Sequence, residues 1–292
     1  SALSLHTVVS HPTLLSLADE QAFYMLLSIM PATGLPTSRL PLNICLVLDK
    51  STSMKGARLQ QVKEAINRII EKLQPEDALS LVVFSDRAKV MLPAQRHVNK
   101  AQTRAIVSTI QPSGGTEILQ GLKLGLDEIR HFQSENSVNH LILLTDGQTY
   151  GDEAGCVEQA QWAGVNKIHL SAIGIGTDWN EDLLDKMADL SGGASIYIDS
   201  PDKVKDIFSQ TMQNLETVVA RELAVKVNPG HNVSLFQAHQ ITPHICRLEV
   251  HDQETVLGAL SINQEKSLLL EFRLKDWAQK TRWCERCKVG WR

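Results

Sequence analysis

The sequence lacks the features of several common functional classes. None of its apolar runs approaches the roughly 20 residues that a membrane-spanning helix needs. The formal net charge is −4, and basic and aromatic residues do not cluster as they do on nucleic-acid-binding surfaces. No Gly-x-x-x-x-Gly-Lys-Ser/Thr loop, which would cradle nucleotide phosphates, occurs in the chain. These absences predict a protein with no nucleic-acid partner and no insertion into a membrane.

Cysteine is scarce, with five residues in a chain of 292. Cys45 lies in a predicted buried strand and Cys156 in a predicted helix, and the odd number favours reduced thiols over a disulfide framework. The first residues also lack the charged and apolar regions of a secretory signal peptide. We therefore expect a cytoplasmic protein. The alternative is an extracellular protein, if a signal peptide has been removed from in front of Ser1.

Strand and helix patterns alternate through the middle of the chain. Residues 42–49 and 139–145 are predicted buried strands, and residues 57–73 repeat apolar side chains at helical steps of three and four. A tight turn joins residues 78–84 to 88–92, which predicts an antiparallel edge strand. The pattern predicts a Rossmann-like α/β fold, with a doubly wound, mostly parallel sheet covered by helices on both faces. The last helix is predicted at 201–219.

Both ends of the chain show strand patterns instead of long helices. Examples are residues 3–9 and 21–30 at one end and 222–227 and 268–274 at the other. Because the N-terminal piece is too short to bury a core alone, we predict that both ends pair into one small β-sandwich. Two independent β additions are the alternative. The predicted divisions are a β segment at 1–40, the α/β domain at 41–219, a β segment at 220–276, and a disordered or truncated tail at 277–292.

Three short polar segments follow predicted strands or a glycine-rich turn. They are residues 49–53 (Asp-Lys-Ser-Thr-Ser), 114–116 (Gly-Gly-Thr) and 145–147 (Thr-Asp-Gly). In a doubly wound sheet, ligands bind beyond the carboxyl ends of the strands, at the point where the strand order reverses. The two carboxylates and three hydroxyls that these segments offer form an all-oxygen set, which suits Mg²⁺ or Mn²⁺ better than zinc. The predicted ligands are Asp49, Ser51, Ser53, Thr116 and Asp146.

In their order and placement, these segments resemble the metal-ion-dependent adhesion site of the von Willebrand factor type A family. That site has the pattern Asp-x-Ser-x-Ser with a distant Thr and a distant Asp, and the resemblance runs from about residue 42 to residue 219. Thr52 departs from it, since the family usually has Gly there. The resemblance implies that the strands ending at Asp49 and Asp146 are neighbours. It also implies that a bound Mg²⁺ or Mn²⁺ accepts an Asp or Glu carboxylate from a partner protein.

Two settings follow from the resemblance. One is a cytoplasmic adaptor that docks on a partner such as a MoxR-type AAA+ ATPase, and the other is an extracellular adhesin. The expected cysteine chemistry favours the adaptor.

Further acidic residues fall in loops at the same predicted edge of the sheet. Asp86, Glu117 and Asp152 are either hydrogen-bond partners of the water around the ion or solvated loop charges. A metal-dependent hydrolase or phosphotransferase is the alternative function for this site. Ser51 stands where the haloacid-dehalogenase pattern has a second Asp, and no general base accompanies the predicted ligands. We therefore predict a binding module and not an enzyme.

Overall fold

The structure is a computed structural model that describes residues 3–11, 20–32, 39–149, 151–230, 232–242, 245–248, 250–262, 264–275 and 286–291. The chain divides into two compact units. One unit runs from Arg39 to Glu216, and the other combines Ser1–Ser38 with Thr217–Arg292. Each unit has its own sheet or sheets and its own hydrophobic core.

Fourteen strands and six α-helices lie in the described residues. The strands are β1 (Leu3–Val9), β2 (Gln21–Pro31), β3 (Leu42–Asp49), β4 (Ala78–Phe84), β5 (Ala88–Gln95), β6 (Val138–Thr145), β7 (His169–Ile175), β8 (Ala194–Ile198), β9 (Val218–Asn228), β10 (Val233–Thr242), β11 (Cys246–Leu248), β12 (Glu254–Ser261), β13 (Lys266–Leu274) and β14 (Arg286–Trp291). The helices are α1 (Ala57–Lys72), α2 (Lys100–Ser108), α3 (Ile118–Arg130), α4 (Glu153–Val165), α5 (Glu181–Ser191) and α6 (Val204–Glu216). None of these described helices is long and apolar enough to span a membrane.

The α/β unit is built on one six-stranded sheet with the order β5-β4-β3-β6-β7-β8. All neighbouring pairs are parallel except β4 and β5, so β5 is an antiparallel edge strand. Every residue of β3, β4 and β6 is buried, as expected for a parallel sheet covered on both faces. The predicted fold class is confirmed. The chain leaves β3 toward β5 and returns to β6 on the other side of β3, so the strand order reverses between β3 and β6.

Helix α3 packs unusually close to the centre of the sheet. A Cβ atom added to Gly125 would lie 2.4 Å from Val47 Cγ2, and one added to Gly121 would lie 2.7 Å from Phe84 Cδ1. Larger side chains at these positions would push the helix away from β3 and β4. Because α3 begins at Ile118, this close packing also restrains the segment just before it.

The predicted end of the last helix was wrong. The sequence predicted one helix over 201–219, whereas the structure has a 3₁₀ turn at Pro201–Lys203, then α6, and the start of β9 at Val218. Val218 and Val219 continue the apolar spacing of the helix, but both are β-branched and favour a strand. The pairing of Val218 with Ser261 of β12 places Val218 in a strand and not in the helix.

The second unit contains two antiparallel sheets. Their orders are β1-β2-β13-β10-β11 and β12-β9-β14. Strand β2 pairs with β13, for example Met25 with Leu270, so the two ends of the chain form one sheet. Side chains of both sheets share a single core, whose members include Phe23, Leu27, Ile29, Leu223, Val225, Leu235, Leu260, Leu270 and Phe272. The predicted β-sandwich from both chain ends is therefore confirmed, and the alternative of two independent β additions is wrong.

Two strands of this unit were not predicted. Strand β12 contains Gly258 at φ 69°, with register shifts on both sides of that residue, so its sequence lacks a regular strand alternation. Strand β14 lies in the tail that was expected to be disordered or truncated; Arg286–Trp291 forms a strand there instead of a disordered segment. Its backbone pairs antiparallel with β9, where Cys287 lies opposite Val227. The other tail residues, 277–285 and 292, lie outside the described residues.

A buried carboxylate ties the start of the α/β unit to the turn before β4. Asp77 is fully buried and accepts hydrogen bonds from Arg39 Nη1 at 2.9 Å and Arg39 Nη2 at 2.7 Å. It also accepts from the backbone N–H groups of Leu42 at 2.9 Å and Gln74 at 2.8 Å. Loss of this one side chain would remove the acceptor of four hydrogen bonds, one of them from the buried N–H of Leu42.

We predict that Asp77→Ala lowers the free energy of unfolding by roughly 3–5 kcal/mol, the usual cost of breaking a buried ion pair. Urea unfolding followed by circular dichroism would measure the change. The matched control is Glu76→Ala, because Glu76 also faces Arg39, at 3.8 Å, but its side chain is 55% exposed. The prediction fails if the two substitutions cost the same.

Candidate metal centre

The predicted ligands lie at the carboxyl ends of two neighbouring central strands. Asp49 is the last residue of β3, and Asp146 directly follows the last residue of β6. Since β3 and β6 are parallel and adjacent, their ends meet at the same edge of the sheet. Ser51 and Ser53 lie in the turn after β3, and Thr116 lies just before α3. The structure thus places all five predicted ligands at the point where the strand order reverses.

Two serine hydroxyls converge on one oxygen of Asp146. Ser53 Oγ donates to Asp146 Oδ1 at 2.7 Å, and Ser51 Oγ approaches the same oxygen at 3.5 Å. The two hydroxyls are 2.9 Å apart. Asp146 and Ser51 are buried, whereas Ser53 is exposed. The oxygen cluster therefore has a buried base and one side open to solvent.

Asp49 is held in the interior by two short hydrogen bonds. Its Oδ1 accepts from the backbone N–H of Ser51 at 2.7 Å, and its Oδ2 accepts from Thr145 Oγ1 at 2.6 Å. Burial raises the pKa of the Asp49 carboxyl from an ordinary 3.8 to about 6. The hydrogen bonds lower this pKa and the negative charge of Asp146 raises it, but desolvation dominates. A nearby cation would offset the cost of ionising this group.

Thr116 lies beside the glycine that follows Asp146. A Cβ atom added to Gly147, the residue after Asp146, would lie 3.0 Å from Thr116 Oγ1, so a larger residue there would crowd this hydroxyl. The loop before Thr116 is bound to the loop after β3, because the N–H and hydroxyl of Thr52 both donate to the carbonyl of Gly114 at 3.0 Å.

The structure places the three further acidic residues differently from one another. Asp86 Oδ1 accepts from the N–H of Gly115 at 2.7 Å, so it restrains the loop that carries Thr116. Glu117 is exposed and accepts a hydrogen bond from Gln120. The interpretation of Glu117 as a solvated loop charge fits this position.

Asp152 restrains the other end of the same loop. It accepts hydrogen bonds from the N–H of Leu119 at 2.9 Å and from the hydroxyl of Thr149 at 2.5 Å. Thr149 in turn accepts from the N–H of Ile118 at 3.2 Å. Hydrogen bonding of Asp86 or Asp152 to water around an ion stays a prediction, while their contacts to the loop are seen directly.

Two residues of the site were missed by the sequence analysis. Arg58 Nη1 lies 2.6 Å from Asp146 Oδ2 and 3.3 Å from the carbonyl oxygen of Ser53. Its sequence signal is its place in the first turn of α1, directly after the predicted ligand turn. The second is Thr145, whose hydroxyl donates to Asp49 Oδ2. Its position follows from the strand register, because β3 and β6 pair as far as Leu48 and Leu144 and the next residues, Asp49 and Thr145, therefore lie side by side.

The donor set fits a hard divalent cation. It consists of two carboxylates and three hydroxyls, the oxygen ligands that Mg²⁺ and Mn²⁺ prefer. Within the described part of the chain, no group of three or more His, Cys, Asp or Glu side chains is arranged to hold a metal ion. A cation at this edge would therefore depend on the hydroxyls as well as on the two carboxylates.

Comparison with known sequences points to one family. The sequence profile of the von Willebrand factor type A domain matches residues 43–210. Protein sll0103 of Synechocystis sp. is 35% identical over 244 residues, which are 81% of this chain and 58% of that protein. Human inter-alpha-trypsin inhibitor heavy chain H4 is 32% identical over 206 residues, 65% of this chain and 22% of its own. The chain thus spans less than two thirds of either relative.

Solved structures share the fold. A von Willebrand factor type A protein from Catenulispora acidiphila has a TM-score of 0.75 at 18% identity, over 93% of this chain and 65% of that one. Proximal thread matrix protein 1 from the mussel byssus was solved with a zinc-occupied MIDAS motif, the abbreviation for metal-ion-dependent adhesion site. It has a TM-score of 0.52 at 24% identity. That match covers 59% of this chain and 45% of the mussel chain. At these identities the likeness concerns the fold alone.

We predict that Asp49→Asn stabilises the metal-free protein at about pH 8 by up to roughly 3 kcal/mol, because the amide has no charge to desolvate. The folded-state pKa of Asp49 lies above its ordinary value, so its ionised form is the destabilising one. The penalty grows as pH rises from about 4 to about 6 and stays constant at higher pH; it is absent below about 4, where the carboxyl is protonated in folded and unfolded chains.

Urea unfolding in EDTA, from about pH 4 to about pH 8, would test this dependence. Asp178→Asn is the control for the loss of one carboxylate, because Asp178 lies in an exposed turn. A stability difference between Asp49→Asn and wild type that stays constant across this range would contradict the prediction.

Proposed function

Because the chain belongs to the von Willebrand factor type A domain family, whose members generally mediate protein–protein interactions, we propose that it is a metal-dependent protein-interaction module. Asp49, Ser51, Ser53, Thr116 and Asp146 would hold Mg²⁺ or Mn²⁺ at the strand-order reversal. An Asp or Glu side chain of a partner protein would complete the coordination of that ion.

One observation carries this proposal. The hydroxyls of Ser51 and Ser53 converge on one oxygen of Asp146, beside the buried carboxylate of Asp49. Four of the five predicted ligands therefore already form one oxygen cluster. The fifth, Thr116, has its hydroxyl next to the glycine that follows Asp146.

The protein's own groups would orient the ligands and limit their charge. The N–H of Ser51 and the hydroxyl of Thr145 hold the Asp49 carboxylate in one orientation. Three of the five predicted ligands are neutral hydroxyls, so the protein contributes only two negative charges. A divalent cation bound there would supply an electrophilic centre that attracts a further carboxylate. The exposure of Ser53 leaves that side of the cluster accessible to a partner.

The contacts of the site do not favour the hydrolase or phosphotransferase alternative. Ser51 stands where the haloacid-dehalogenase pattern has a second Asp, and both oxygens of Asp49 are oriented by hydrogen bonds from Ser51 N–H and Thr145 Oγ1. Lys50, the nearest lysine in sequence, donates to Ser85 Oγ at 2.9 Å and Ser113 Oγ at 2.6 Å instead of facing the cluster. Incubation with Mg²⁺ and a generic phosphoester should therefore give no turnover.

The setting of the module remains part of the proposal. A cytoplasmic adaptor that docks on a MoxR-type AAA+ ATPase stays a prediction from family resemblance. Cys45 and Cys156 are free thiols and are both buried, which agrees with reduced cysteines. The zinc in the mussel protein's motif makes Zn²⁺ a third ion to test beside Mg²⁺ and Mn²⁺.

We predict that isothermal titration detects binding of Mg²⁺ or Mn²⁺ to the wild-type protein and not to the double variant Asp49→Ala, Asp146→Ala. Thr116→Ala should weaken binding by about tenfold or more, as loss of a supporting group does at metal sites. Thr109→Ala is the control, because Thr109 is an exposed threonine whose hydroxyl donates only to the helix carbonyl of Ile106. Equal affinity in the wild type and the double variant would reject the proposed site.

Ligand recognition needs a separate experiment. A random peptide library would be selected against the wild-type protein in Mg²⁺. The selected peptides should contain Asp or Glu, and their binding should be lost in EDTA or when that residue becomes Asn or Gln. Peptides that bind equally in EDTA, or that contain no acidic residue, would contradict carboxylate recognition even if the metal site itself is correct.

A further inference from the structure

Arg58 places a permanent positive charge on a predicted metal ligand. Its guanidinium contacts Asp146 Oδ2 at 2.6 Å, while the serine hydroxyls approach the other oxygen, Oδ1. The Asp146 side chain is fully buried, and the Arg58 side chain is 31% exposed. This ion pair is therefore partly shielded from solvent, where charge-assisted hydrogen bonds are strong.

The position of Arg58 in its helix is unfavourable unless it has such a partner. Gly56 is the N-cap residue of α1, and Arg58 lies in the first turn, where the helix dipole disfavours positive charge. The first turn of α1 contains no acidic residue. The ion pair with Asp146 offsets this cost, because it brings the guanidinium to an anionic group.

The fold also leaves space for the guanidinium. Gly176, after β7, has φ 81°, and a Cβ atom added there would lie 3.1 Å from Arg58 Nη2. A side chain at position 176 would crowd the arginine. The loop after β7 and the first turn of α1 thus both accommodate Arg58 beside Asp146.

We propose that Arg58 is a built-in competitor of the metal ion, which neutralises Asp146 in the metal-free protein and sets the affinity of the site for divalent cations. This inference rests on the proposed function, since it takes Asp146 as a metal ligand. A cation that binds Asp146 must either displace the guanidinium or remain close to it. Both routes lower the affinity, the first through loss of the ion pair and the second through repulsion between positive charges.

The test is isothermal titration of Arg58→Gln with Mg²⁺ and with Mn²⁺. We expect roughly tenfold tighter binding, or more, than in the wild type, because one positive charge near the ion has been removed. In EDTA, the same variant should have a lower melting temperature than the wild type, because Asp146 has lost its partner. The temperature increase caused by saturating Mg²⁺ should accordingly be larger in the variant.

Two control variants separate charge from structure. Arg58→Lys keeps the positive charge and should bind the ions close to wild-type affinity. Arg68→Gln removes a charge from the same helix at an exposed position and should change neither the affinity nor the melting temperature in EDTA. If Arg58 were only a structural ion pair, Arg58→Gln would lower the melting temperature without raising metal affinity.

The outcomes distinguish this inference from the proposed function. If the wild type binds either ion and Arg58→Gln binds it equally or more weakly, the competitor role is rejected and the metal site stands. If neither protein binds Mg²⁺ or Mn²⁺, both proposals are rejected. Binding by Arg58→Gln alone, or tighter binding by it, supports the competitor role.

Discussion

The candidate site at the edge of the sheet depends on one constraint, the presence of two buried carboxylates at the ends of adjacent parallel strands. The register of β3 and β6 places Thr145 beside Asp49 and Asp146 one residue farther along, and both carboxylates are buried. Like charges in the interior repel each other and lose their hydration. Hydroxyls and a backbone amide donate to these carboxylates, and Arg58 supplies the positive charge. The polar contacts of the site thus offset the cost of burying two carboxylates near each other.

The packing of the sheet and of α3 places the remaining parts of the site. Gly121 and Gly125 let α3 lie directly on β3 and β4, which restrains the segment that carries Thr116. Asp86 and Asp152 bind backbone N–H groups on either side of that threonine. Thr116 is therefore positioned by groups anchored to the sheet, so a change in helix packing would alter the site without touching a predicted ligand.

Much of this arrangement could be predicted from local patterns. Apolar strands that end in Asp49 and Asp146, with helices between them, require both carboxylates to lie at one edge. The contact of Arg58 could not be predicted, because it depends on the direction in which α1 leaves its turn. The end of α6 was misplaced because Val218 and Val219 fit a helix and a strand equally well in sequence. Strand β14 depends on pairing with the edge of β9, which no local pattern shows.

Under the proposed function, the charge at this edge would also determine when an acidic partner is attracted. With Asp49 and Asp146 ionised and Arg58 positive, the metal-free cluster has one net negative charge and repels a carboxylate. A divalent cation bound as proposed would change the net charge to positive, since the hydroxyls are neutral. Arg58 would then attract the partner's carboxylate together with the ion. The same guanidinium would thus oppose cation binding and favour the acidic ligand, so an uncharged residue at position 58 would tighten the first interaction and weaken the second.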